Sequence, residues 1–205
     1  HMALSKIDIA NMVTGATPVA NGGTGLTSGT TNQFLKFTGS TTLASAADNA
    51  GVTGVHQWRL HSSAAGDADP ITSNLEAVDT DGYGGIGTAM SESSGIFTFP
   101  ATGIWLIQMT LQLYFSGDSR INQLKILTTT NNSDYDDAAK NAVFIKQAES
   151  SHTYSSATNS FIFDVTNTTT HKVKFGVNVN NDSATVVGST SVNRTHFTFI
   201  RLGDT

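Results

Sequence analysis

The chain has no cysteine at any of its 205 positions, which excludes disulfides and thiolate metal sites. Charge is also scarce, at 13% of residues, and 16 acidic groups outnumber 11 basic ones for a formal net charge of −5. A polyanion-binding surface needs clustered Lys and Arg, so nucleic acid is not an expected partner. No apolar run approaches the roughly 20 residues of a transmembrane helix, so membrane insertion is not expected. The N-terminal residues carry no basic region ahead of an apolar core, and no secretory signal is read there. His1-Met2 reads as a cloning remnant. Helical periodicity is absent throughout.

What the sequence has in abundance is Gly, Ser, Thr and Asn, distributed unevenly. Residues 3–54 are dense in these and poor in large apolar groups, with short apolar snippets such as Gln33-Phe34-Leu35-Lys36-Phe37 between turn signals. Such a segment cannot bury enough apolar surface to fold alone. It is either a flexible linker or a fibrous shaft segment that gains its core by winding with other copies. The recurring turn-strand-turn texture favours the shaft.

From residue 55 to 205 the texture is all-β. The stretch GIFTFPATGIWLIQMTLQLYF, residues 95–115, organises it. Trp105, Ile107, Met109, Leu111, Leu113 and Phe115 share one parity, and Gln108, Thr110 and Gln112 the other. Period-two alternation assigns these sets to opposite faces of a long strand. Leu106 and Tyr114 make the second face partly apolar, which suggests contact with another sheet or chain. Further strands are expected at 56–62, 71–78, 96–99, 120–128, 142–147, 160–165, 172–179 and 195–202, giving an all-β sandwich of eight to ten antiparallel strands.

The pattern Gly95-x-Phe97-x-x-Pro100-x-x-Gly103-x-Trp105 resembles that of the C1q/tumour-necrosis-factor jelly-roll superfamily, and the resemblance runs from His56 to Leu202. NSFIFDVTNTTTHKVKFGV and THFTFIRLGD resemble the closing strands of that C1q-like head. Separately, PVANGGTGLTSGTTNQFLKFTGS, with Gly22, Gly23, Thr24, Gly25 and Leu26, resembles a segment of bacteriophage tail-fibre proteins. Together the resemblances imply a homotrimeric fibre tip in the virion, outside the host cell, with a receptor-binding knob following an upstream fibre shaft.

Known chemistries were weighed against these residues. Gly22-Gly23-Thr24-Gly25 lacks the Lys of a phosphate-binding loop and reads as backbone turning. His56, His61, His152, His171 and His196 are scattered and read as loop or strand-end residues, without zinc spacing. Asp67-Ala68-Asp69, Asp79-Thr80-Asp81-Gly82 and Asp134-Tyr135-Asp136-Asp137 offer hard oxygen ligands, so Ca²⁺ is possible there. Turn chemistry is the favoured reading of each, with Ca²⁺ the minority one, and neither a metal nor any cofactor is predicted. There is no G-x-S-x-G, and although a glycosidase needs only two carboxylates about 5–9 Å apart, no catalytic residues and no enzymatic activity are expected.

In the resembled fold both termini lie at the stalk end, so the long strand runs from stalk to tip. Alternation then assigns 62–69, 116–119, 148–158 and 180–194 to tip loops, and Asp134–Asp137 and 167–171 to the base. Tip loops on a rigid sandwich commonly carry binding function. Those loops offer Asp118, Arg120, His152, Tyr154, Asn181, Asp182 and Arg194 for a host surface receptor, expected to be a glycan. Gln108, Tyr114, Ile162 and Ile200 face away from the core and are expected at the trimer interface. The rival expectations are a purely structural trimerisation cap and a polysaccharide-degrading head.

Overall fold

A computed structural model describes residues 26, 29–31, 33–40, 42–46 and 51–205. The chain divides into two compact units, His1–Ala50 and Gly51–Thr205. Gly22 to Gly25 lie outside the described residues. In the first unit, β1 (Phe34–Gly39) and β2 (Thr42–Ala46) form an antiparallel hairpin. Phe34, Leu35 and Phe37 are all exposed on it. A two-stranded hairpin alone is marginal in water, and among the described residues this one shows no buried apolar face.

The second unit contains β3 (Gly54–Leu60), β4 (Ala64–Ala65), β5 (Leu75–Ala77), β6 (Ser91–Ser93), β7 (Ile96–Thr98), β8 (Gly103–Phe115), β9 (Ser119–Thr129), β10 (Asp136–Ile145), β11 (Thr153–Val165), β12 (Lys172–Asn178), β13 (Thr185–Val186) and β14 (His196–Gly203). Every pairing is antiparallel, in two sheets. One has the order β10-β9-β12-β7-β6. The other runs β4-β13-β8-β14-β3-β5, with β11 along the free side of β8. The result is an all-β sandwich, as the alternation predicts, and it is a jelly roll, as the resemblance implies.

Strand β8 is central because its two faces differ. Trp105, Ile107, Met109, Leu111 and Leu113 are completely buried, while the residues between them are only partly so. The inward set meets an aromatic cluster from both sheets. Phe97 lies edge-on to Phe175 at 5.4 Å, Phe175 stacks on Phe197 at 4.3 Å, and Phe99 packs on Trp105 at 5.3 Å. Such pairs contribute about 0.5–1.5 kcal/mol each beyond their burial. The Trp105 indole N–H is satisfied by the Ala101 carbonyl.

The two glycines of the motif have separate reasons. Gly95 has φ of +81°, and a Cβ there would sit 2.1 Å from the Ile71 carbonyl oxygen. At Gly103, φ is +139° and a Cβ would meet the Gly203 carbonyl at 2.5 Å. Only glycine fits either place. Pro100 lies in the turn between β7 and β8.

The structure corrects three local expectations. β11 begins at Thr153, so the stretch expected as a loop through Thr158 is mostly strand, paired with β8 from end to end. Its Ser, Thr and Ala residues hide the alternation, since none is large and apolar. β10 begins at Asp136 rather than Ala142, which takes Asp136 and Asp137 out of the base loop. As the edge strand it carries charge, which discourages pairing with foreign strands and blurs its pattern. His56, expected in a loop or at a strand end, is buried within β3, with no hydrogen-bond partner for Nε2 among the described residues.

Candidate receptor-binding surface

β8 starts with Gly103 beside Gly203, and β3 starts with Gly54 paired to Arg201. Both termini of the head therefore lie at the end where β8 begins. Its other end, at Phe115, pairs with Thr153, and Tyr114 pairs with Thr185. The turn after β8, the 146–152 loop and the 180–184 turn converge there, at the far end. The loop before β10 and the one after Val165 lie back at the terminal end. This matches the orientation expected from alternation.

The seven residues singled out in the sequence fall into separate groups. Tyr154 lies in β11 directly across from Tyr114, with ring centroids 5.4 Å apart. His152 packs on the same Tyr114 ring at 4.2 Å and an interplanar angle of 34°. Arg194 reaches Gln112, the next outward residue of β8, at 3.4 Å. These five residues occupy the outer face of the β8 sheet.

Asp118 and Arg120 belong to the other sheet, where β9 begins. Asp118 accepts from Lys146 Nζ at 2.5 Å and from the Gln147 backbone N–H at 2.9 Å. The Lys146 bond, then the Gln147 N–H, holds its carboxyl below the usual carboxylate range. Asp118 thus braces the 146–152 loop. The Arg120 backbone N–H donates to Asn180 Oδ1, while its exposed guanidinium has no partner among the described residues. The third group is a turn: Asn181 Oδ1 accepts from the Ser183 N–H, and Asp182 is exposed on it.

Three residues expected at the interface, Ile200, Ile162 and Gln108, join three others in cross-strand rows on the outer face of the β8 sheet. Ile200, Leu106 and Ile162 make one, and Thr198, Gln108 and Ser160 the next. Ile162 is 60% exposed. Tyr114 ends the same face at the far end.

The acidic turns are occupied by the fold's own donors. Asp67 accepts from the Val179 N–H at 2.6 Å, Asp69 pairs with Lys125 at 2.5 Å, and Asp137 pairs with Lys140 at 2.5 Å. Asp79 pairs with Arg59, which is buried and also bonds Glu76, Thr80 and the Thr190 carbonyl.

Sequence reasoning missed Phe144, Ile121 and Lys146. Phe144 and Ile121 are exposed on β10 and β9. With Asp118, Arg120, Ile145 and Lys146, Phe144 lines a notch of about 330 Å³. The run Ala142-Val143-Phe144-Ile145 is apolar throughout, so parity could not say which residues point outward.

No family model and no curated protein matches the sequence. Among solved structures, the head is similar to the Eiger TNF of S. frugiperda, at 11% identity and TM-score 0.53, over 76% of this chain and 95% of that one. It is also similar to murine APRIL at pH 5.0, at 11% identity and TM-score 0.50, over 73% and 98%. At such identity the shared property is the fold alone, and residues 51–205 form a TNF-like jelly roll.

Proposed function

We propose that the chain is the tip of a trimeric bacteriophage tail fibre, a non-enzymatic adhesin of the virion that binds a glycan on the host surface. The observation that carries this reading is the outer face of the β8 sheet. The inward residues of that sheet already have a complete core, yet Ile200, Leu106 and Ile162 line up in an apolar row on the opposite face. A lone domain has no use for that row, while a threefold seam buries it. The exposed Phe34, Leu35 and Phe37 of the hairpin support the same reading, since a shaft wound from several copies supplies the core they lack. The PVANGGTGL resemblance ties that shaft to tail fibres. At the far end, Tyr114, His152 and Tyr154 offer aromatic faces on which sugar rings stack.

The test has two parts. Sedimentation velocity should find a trimer, and the trimer should bind cells or glycans of a susceptible host; a monomer at all concentrations would sink the assembly. A second reading, a structural cap that trimerises the fibre and binds nothing, is favoured by the local duties of Asp118 and Asn181. Absence of binding by a verified trimer would select the cap. Release of reducing ends from host polymer would instead indicate a degrading head.

A further inference from the structure

The geometry points to the Asp118–Arg120–Phe144–Lys146 notch as a site for a carboxylated sugar, a hexuronic acid residue of a surface polysaccharide. This rests on the adhesin reading and names the class of glycan. Phe144 is 66% exposed and Ile121 is 55% exposed, a costly arrangement on a sheet face that nothing described covers. In the same notch, the Arg120 guanidinium has no partner among the described residues, in a chain whose formal net charge is −5. Other cations near clefts are consumed by the fold. Arg59 is used up by Glu76, Asp79, Thr80 and Thr190, and Arg201 by Thr102, Thr53 and Asp204.

The notch combines what such a sugar presents. A pyranose C–H face packs on the exposed phenyl ring, and a planar carboxylate takes the bidentate fork of a guanidinium. Asp118, kept ionised by Lys146, accepts from ring hydroxyls, and the Lys146 ammonium donates to them. Its roughly 330 Å³ lies at the small end of ligand pockets, which suits one or two rings. The notch lies on the β9–β10 sheet, away from the Ile200–Leu106–Ile162 row, so each copy in a trimer would keep one.

The experiment is an NMR titration of the intact protein with glucuronic acid, with the neutral isostere glucuronamide and with glucose. Glucuronic acid should shift the amides of 118–121 and 144–147, with affinity falling as salt rises. Glucuronamide and Arg120→Gln should each weaken binding by roughly tenfold or more, the scale of one charged hydrogen-bonding pair. Phe144→Ala should weaken all the sugars together. Lys140→Gln, a surface cation elsewhere on β10, should change nothing. All positions are exposed, so unchanged melting curves certify folding.

No binding of glucuronic acid, equal affinity for glucuronamide, or shifts centred on Tyr114 and Tyr154 would overturn the assignment. Host binding separates the two readings. Arg120→Gln with Phe144→Ala leaving attachment intact would refute the notch but spare the adhesin. Failure of the unaltered trimer to attach would refute the adhesin, while the sugar titration still reports on the notch.

Discussion

Truncating Ile162 to Ala tests the proposed seam without touching the core. Complete burial of an Ile side chain is worth about 1.5–3 kcal/mol. Ile162 is 60% exposed in the single chain. Covering that part in an assembly therefore contributes about 1–2 kcal/mol per copy, of which Ala, keeping only Cβ, forfeits roughly 1. Three copies lose roughly 3 kcal/mol per trimer, before any added cost for a cavity. At about 1.4 kcal/mol per factor of ten, the dissociation constant rises roughly a hundredfold. For a trimer the midpoint concentration follows the square root of that constant, so it moves up about tenfold. Sedimentation velocity across a dilution series reads this directly. Monomer stability should hold, because the core residues opposite lie on the inward parity. A trimer whose midpoint does not move would refute the placement of the seam on this face.

Other outcomes follow from the fold itself. Gly95→Ala should cost about 2 kcal/mol or more in urea denaturation, through the clash with the Ile71 carbonyl at positive φ. Arg59→Ala should cost about 2–3 kcal/mol by leaving Glu76 and the β5 edge without their tether, with Arg59→Lys only a partial rescue because the fork is lost. Burial depresses the pKa of His56, although the backbone of Thr88 and Ile86 partly offsets it. The unfolded chain then takes up this proton near pH 6.5 while the folded one resists, so stability should fall as pH drops below 6.5 until the depressed folded value is reached. His56→Gln should flatten that stretch of the stability–pH curve, and an unchanged slope would remove His56 as its source.

The central strand was legible because its chemistry is extreme. Five large residues on one parity of β8 are completely buried, and no other arrangement satisfies that spacing. The motif glycines were visible as glycines. Their reasons, carbonyl oxygens of Ile71 and Gly203, lie 24 and 100 residues away and needed the packed structure. The first halves of β10 and β11 were missed because pairing with a long neighbour, rather than their own hydrophobicity, makes them strands. The same non-locality hid the site. Asp118 finds Lys146 across 28 residues, and the register of β10, bulged between Val143 and Ile145, decides that Phe144 points outward.

Tyr114 forces the largest revision of the functional picture. In the sequence it belonged to the seam, while His152 and Tyr154 belonged to the receptor surface. In the structure the three rings form one patch, with Tyr114 in the middle at 4.2 and 5.4 Å from its neighbours. A second copy that covers Tyr114 must cover or abut the other two as well. The proposed seam and the aromatic patch therefore share one continuous surface, running along β8 from the Ile200–Leu106–Ile162 row to the far end. The closer the copies pack towards that end, the less of the patch is left for a receptor. Asp118 and Arg120 face no such competition, because they belong to the opposite sheet. On the proposed reading, joining copies and holding a sugar would fall to different sheets of one sandwich.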